Sequence, residues 1–120
     1  RNAQAAILEN DFKKTGANTL LCTDDGTYGR KGFVTAALEG HLELERPDYI
    51  CACGPMVMLK KVTEIAMAHS IPCQISLEER MACGVGACLG CACKIRRNGE
   101  EVYLHVCKDG PVFSGEEVVF

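Results

Sequence analysis

Apolar positions in the first 78 residues recur with two periods, helical and alternating. Ala3, Ala6, Ile7 and Phe12 fall at mostly helical spacing and predict a helix over residues 3–13, with Gly16 just past Lys14 as its stop. Residues 19–23 (TLLCT) read as a short apolar strand closed by the turn Asp24-Asp25-Gly26. Phe33, Val34, Ala37, Leu38, His41 and Leu42 mark the face of a second helix, and Pro47 blocks its continuation. Residues 48–53 (DYICAC) predict a second strand, short enough to be buried on both sides. Gly54-Pro55 opens a third helix, with Pro in the first turn where its missing N–H costs nothing, and the apolar face runs through Met58, Leu59, Val62, Ile65 and Ala66. In residues 72–77, Cys73, Ile75 and Leu77 alternate with Gln74 and Ser76, which predicts a third strand. This order predicts an α/β fold with a partial parallel sheet and helices packed against it.

After Glu78 the pattern changes. Residues 82–93 (ACGVGACLGCAC) combine small residues and cysteines without a stable period and are too rich in glycine for regular structure. Residues 92–97 and 101–106 then flank Asn98-Gly99, the favoured tip of a two-residue β-hairpin, and Cys107 follows the second arm at once. A boundary is therefore expected near Glu78 to Arg80, dividing the chain into residues 1–78 and 79–120. No internal repeat is visible.

Composition narrows the class. The 120 residues carry 13 Lys plus Arg against 16 Asp plus Glu, and 48% are hydrophobic, which argues against a disordered tail or a filament. A net charge of −3 gives no electrostatic warrant for nucleic acid or an anionic membrane surface as partner. No apolar run approaches the roughly 20 residues needed to span a bilayer, so a soluble protein is expected. Nine cysteines are unusual. Their odd number, the lack of a signal peptide and their tight grouping argue against a secreted disulfide scaffold and for a reducing, cytoplasmic compartment.

Cys83-x4-Cys88-x2-Cys91, with Cys107 further on, reproduces the C-x4-C-x2-C…C spacing of plant-type [2Fe–2S] sites. Three thiolates wrap one small cluster from a loop while the fourth comes from a distant strand. Gly84, Gly86 and Gly90 let the backbone pass close and leave N–H groups free to point at sulfur. Residues 80–110 hold five basic and three acidic side chains, which suits an anionic cluster. A structural Zn²⁺ remains an alternative, although only Cys88 and Cys91 have the spacing of a zinc knuckle. His41, His69 and His105 show no pairing with cysteine that would suit a Rieske centre. The glycines of GVGACLG are one residue off the dinucleotide fingerprint and lie outside its strand-to-helix context. Cys93 reads as a packed residue of the first hairpin strand. No hydrolase or kinase motif appears, and no catalytic acid or base is assigned.

Four segments together resemble the electron-transfer subunits of class 1B dihydroorotate dehydrogenases, within the ferredoxin–NADP reductase superfamily. They are residues 23–35 (TDDGTYGRKGFVT), 52–60 (ACGPMVMLK), 76–91 (SLEERMACGVGACLGC) and 107–113 (CKDGPVF), the last two being the most specific. The resemblance implies that residues 1–78 are the C-terminal part of an NAD-binding, ferredoxin reductase-like domain, and residues 79–120 a small [2Fe–2S] domain with a β-hairpin. It implies Cys83, Cys88, Cys91 and Cys107 as cluster ligands. Cys53-Gly54-Pro55 would meet the nicotinamide at the carboxyl end of a strand, in keeping with ligand binding in open sheets. Asp24, Asp25 and Gly26 would lie near the adenosine end; taken alone, Asp-Asp-Gly is an ordinary turn and Cys53 a buried strand residue.

Arg1 would fall near the end of the family's second sheet strand, so the chain is expected to be the C-terminal part of a longer subunit. FAD would then be bound by an N-terminal domain outside this chain, and NAD only weakly, since the pyrophosphate loop would also lie outside it. The implied partner is an FMN-containing subunit that oxidises dihydroorotate in pyrimidine biosynthesis, with Val85, Ala87 and Leu89 as an apolar rim facing it. Rival readings are a subunit of another ferredoxin–NAD(P) reductase or glutamate synthase-like system, or a non-catalytic zinc module.

Overall fold

The apolar residues of the N-terminal segment do not build the single helix that their spacing predicts. In the computed structural model, which describes residues 1–120, Ala3–Ala5 form a 3-10 turn and the Ala5 N–H donates to the Asn2 side chain at 3.2 Å. Leu8 then adopts a left-handed φ of 61°, and helix α1 spans only Glu9–Lys14. Ile7, Leu8 and Phe12 are all exposed, and a short helix that buries nothing has little to hold it together. Lys13 and Glu9 pair across one turn of α1 at 2.6 Å, an exposed contact of small energetic weight.

By packing, the chain falls into two compact units, Arg1–Arg46 and Pro47–Phe120. The expected change near Glu78 to Arg80 thus lies inside the second unit. In the first unit, the strand expected over residues 19–23 is reduced to β1 (Cys22–Thr23), paired in parallel with β2 (Arg30–Lys31). The ladder is short, with the Arg30 N–H donating to the Leu21 carbonyl at 2.8 Å and the Gly32 N–H to the Thr23 carbonyl at 2.9 Å, and residues 19 and 20 lie outside it. The Thr23 hydroxyl is buried and donates to the Tyr28 carbonyl at 2.7 Å, closing the intervening loop. Helix α2 (Val34–Leu42) follows as expected, but only Ala37 and Leu42 of its face are fully buried.

The second unit holds the main core. β3 (Ile50–Cys53) pairs in parallel with β4 (Cys73–Ser76), and α3 (Met56–Ala68) is the crossover between them. Leu59, Val62, Ile65 and Ala66 of α3 are buried with Ile50, Ile71, Ile75 and Leu77, and Met58 only partly. The alternation of residues 72–77 is realised, with Cys73, Ile75 and Leu77 buried and Gln74 exposed. Two expectations fail here. β3 is not buried on both sides, because the face it shares with Gln74 and Ser76 of β4 is left uncovered and exposes Cys51 and Cys53. Nor is there a three-stranded parallel sheet, because β1 pairs with β2 and the third strand beside β4 is antiparallel β7 (Val112–Ser114).

β5 (Ala92–Arg97) and β6 (Glu100–His105) form the expected hairpin. Asn98 and Gly99 both have positive φ, 54° and 83°, the pair of left-handed residues that a two-residue type I′ turn needs. The short helix α4 (Val106–Asp109) follows β6, and β7 then returns the chain to β4, so the hairpin and the sheet are joined through residues the apolar pattern does not mark. No helix is long and apolar enough to cross a membrane.

Ile75 is fully buried in the central strand β4, whereas Val57 on α3 is exposed. Ile75→Ala is expected to lower unfolding stability by about 2–5 kcal/mol and Val57→Ala to change it by less than about 0.5 kcal/mol, read from urea unfolding followed by circular dichroism.

Candidate metal centre

The segment between β4 and β5 has no regular structure, and its ends are fixed by buried residues, Leu77 on one side and Cys91 on the other. The Leu77 N–H donates to the Pro111 carbonyl at 3.0 Å, and the Val106 N–H to the Cys91 carbonyl at 3.0 Å. These bonds hold the loop that carries Cys83, Cys88 and Cys91 against the turn that carries Cys107. Gly84 and Gly86 have φ of 69° and 77°, a conformation that side-chain-bearing residues rarely adopt.

Within this frame the four cysteines form two linked pairs. The Cys88 N–H donates to the Cys83 sulfur at 3.4 Å, and N–H groups of Val85 and Ala87 also point to that sulfur. The Val85 and Cys88 amides, followed by the Cys88 thiol, lower the Cys83 pKa to about 6. In the other pair, the neighbouring Cys91 thiol and then partial desolvation raise the Cys107 pKa, against the opposing influence of the Gly86 amide. Cys107 also feels the charge of Cys83, which joins the two pairs electrostatically. Nowhere do three His, Cys, Asp or Glu side chains close round the position of one metal ion.

A binuclear cluster asks for what is present here: two sulfur pairs side by side, with amide donors aimed at sulfur, so that each iron takes two cysteines. A tetrahedral zinc would instead draw four sulfurs to one point. The residues present therefore fit a [2Fe–2S] group. Cys93, the nearby surplus thiol, is buried on β5 with its sulfur 3.5 Å from the Leu104 carbonyl, and burial raises its pKa, as befits a packed side chain. Val85 and Leu89 are 71% and 78% exposed, and Ala87 is exposed between them.

Cys53, Gly54 and Pro55 lie at the carboxyl end of β3, with Pro55 capping α3. Gly54 has φ of 153°, a conformation that favours glycine, and the Met58 methyl lies 2.7 Å from where a Cβ would stand. The Cys53 thiol is exposed, 3.9 Å from a Glu78 carboxylate oxygen; the bland expectation of a buried strand residue is not met, because Cys53 lies on the uncovered face of the sheet. In the first unit, the Asp25 carboxylate accepts from the backbone N–H and the hydroxyl of Thr27, at 2.9 and 2.7 Å, and these bonds lower its pKa. Gly26 has φ of 76°, and Asp24 is exposed beside it, so this triplet forms an ordinary turn whose acidic groups face solvent. One feature of the loop is invisible in sequence spacing: the Lys108 stem lies across Gly86, its Cδ 2.7 Å from where a Cβ would stand.

Residues 78–119, which include the loop and Cys107, match the family model described as the iron-sulfur cluster binding domain of dihydroorotate dehydrogenase B. The curated relatives are more particular. The chain is 52% identical over 114 residues to the dihydroorotate dehydrogenase B (NAD(+)) electron transfer subunit of Caldanaerobacter subterraneus subsp. tengcongensis, covering 95% of this chain and 45% of the relative. It is 46% identical over 120 residues to a probable subunit of the same name from Methanocaldococcus jannaschii, covering all of this chain and 44% of that one. The chain is thus a relative of these electron transfer subunits, similar to the C-terminal portion of proteins of which it spans less than half the length. A solved structure described as an NADH-dependent reduced ferredoxin-NADP oxidoreductase superimposes on 99% of this chain and 41% of its own, with a TM-score of 0.78 and 35% identity. Its mixed α/β fold is shared.

The amide donors around Cys83 lead to a direct check on cluster-free, reduced protein. Iodoacetamide is expected to label Cys83 first, at a rate that rises through pH about 6, and Cys107 only above the ordinary thiol value of about 8.5, as read by peptide mass mapping.

Proposed function

We propose that this chain is the portion of a dihydroorotate dehydrogenase B electron transfer subunit that holds a [2Fe–2S] cluster and relays single electrons through it. Donors and acceptors would be the FMN of a separate dihydroorotate-oxidising subunit and, in the full-length subunit, FAD and then NAD⁺, in pyrimidine biosynthesis. The observation that carries the reading is the pairing of Cys83 with Cys88 and of Cys91 with Cys107 inside the segment that matches the iron–sulfur model. Cys83 and Cys88 would hold one iron, Cys91 and Cys107 the other. When bound, the cluster would supply a one-electron carrier between two flavins, each of which exchanges an electron pair with its substrate and single electrons with the cluster.

The chain's own residues do the rest. Amides of Val85, Ala87 and Cys88 stabilise negative charge on the Cys83 sulfur, and the buried Cys91 keeps water from one side of the site. No side chain needs to move a proton. Residues 79–120 would be the cluster-binding domain and residues 1–78 the C-terminal part of the NAD-binding domain. There Cys53, Gly54 and Pro55 would approach the nicotinamide, and Asp24, Asp25 and Gly26 the adenosine end. Val85, Ala87 and Leu89 would face the FMN subunit. Nine free thiols suit a reducing cytoplasm.

A second reading is favoured by the likeness to the reduced ferredoxin-NADP oxidoreductase structure: the same cluster would then serve exchange between ferredoxin and a pyridine nucleotide. Anaerobic electron transfer separates the two, with dihydroorotate and its FMN subunit reducing the cluster in the first case and reduced ferredoxin in the second.

Protein purified anaerobically is expected to contain about two irons and two acid-labile sulfides per chain, with visible absorbance that bleaches on adding dithionite. Cys88→Ser and Cys91→Ser should each lose most of that absorbance. One zinc and no labile sulfide, in protein made with iron supplied, would overturn the reading. Leu89→Asp should retain the cluster and weaken association with the FMN subunit about tenfold or more, measured by titration calorimetry.

A further inference from the structure

We propose that Lys108 is a positioning residue of the metal centre: its aliphatic stem clamps the cysteine loop at Gly86, and its ammonium favours the reduced state of the group held there. The inference rests on the cluster reading above and deepens it. Lys108 follows Cys107 on α4, a turn held in place from both ends. The His105 N–H donates to the Asp109 carboxylate at 2.8 Å, the Val106 N–H bonds the Cys91 carbonyl at 3.0 Å, and the Val106 side chain is fully buried. From this base the Lys108 stem runs over the loop, with Cδ, Cβ and Cγ at 2.7, 3.2 and 3.5 Å from the position of a Cβ on Gly86.

Gly86 therefore has two neighbours in sequence as its contacts: its N–H is directed to the Cys107 sulfur, and its open face receives the stem of Lys108. A side chain at this position would suffer both the positive φ and the loss of that contact. Long cationic side chains commonly lay their methylenes on a surface and leave the charge in water. Here the surface is the loop that bears Cys83 and Cys88. The ammonium, two bonds beyond Cδ, forms none of the chain's ion pairs, and the adjacent Asp109 is engaged by the His105 amide. Reduction would add one negative charge within the loop that the Lys108 stem overlies, and an unpaired cation carried on that stem stabilises the reduced state more than the oxidised one. The cysteine spacing says nothing of this, because the contact joins residue 86 to residue 108 through the fold.

The experiment is an anaerobic potentiometric titration of the cluster-loaded protein and of Lys108→Met, Lys108→Arg and Lys108→Ala, with iron and labile sulfide measured first in each. Lys108→Met keeps the stem and loses the charge; its cluster content should equal that of the parent while its reduction equilibrium constant falls roughly threefold, or about 30 mV by the relation of 59 mV per tenfold for one electron. Lys108→Arg should restore the parent potential. Lys108→Ala, which loses the stem as well, should also give up iron to a chelator several times faster. A potential unchanged in Lys108→Met, or iron release unchanged in Lys108→Ala, overturns the proposal. Absence of labile sulfide from the parent protein would instead overturn the cluster reading. The clamp is then decided by iodoacetamide labelling of Cys83 in cluster-free protein: faster labelling in Lys108→Ala supports it and equal labelling refutes it.

Discussion

Sulfur atoms brought together as thiolates repel, and the structure around residues 83–107 is arranged so that something answers that repulsion. Backbone N–H groups of Val85, Ala87 and Cys88 converge on Cys83, and that of Gly86 on Cys107. Peptide groups can turn inward in this way only where the backbone adopts left-handed conformations, as it does at Gly84 and Gly86. The cluster loop is thus shaped by its amides rather than by side-chain packing. Its exposed apolar residues, Val85 and Leu89, follow from the same geometry: with the backbone facing the sulfurs, the side chains face away.

A loop of this kind has no core of its own, so its precision comes from the elements at its ends. Ile75 and Leu77 anchor one end in the sheet on which α3 packs, and Ile95 and Val106 anchor the other in the hairpin and α4. β7 closes the arrangement by pairing with β4 soon after Cys107, with Phe113 buried opposite Ile75. Sheet, hairpin and loop are therefore one packed unit. The family match begins at residue 78 whereas the packing boundary falls at residue 46, because sequence similarity and burial measure different things.

Much of this was legible beforehand where a local rule suffices. The hairpin tip at Asn98-Gly99, the crossover helix after Gly54-Pro55 and the buried alternation of Cys73, Ile75 and Leu77 each rest on a backbone preference or a simple period. The N-terminal pattern misled for a physical reason. Ile7, Leu8 and Phe12 are apolar and helically spaced, yet they bury nothing within the first unit, and periodicity without burial does not sustain a helix. β7 was missed because three residues after a short turn carry no period, and the exposure of Cys51 and Cys53 because which face of a sheet stays uncovered is decided by packing.

The amino-acid sequence by itself determined that four cysteines stand at the spacing of a plant-type [2Fe–2S] site, since cysteine spacing and intervening glycines are set along the chain. Only the tertiary structure decided which thiol stands with which, which amides face them, and that Lys108 rests on Gly86. The contacts of Gly86 with Cys107 and Lys108 join positions more than twenty residues apart, and they exist because β4, β5, β6 and β7 bring the two ends of the segment together.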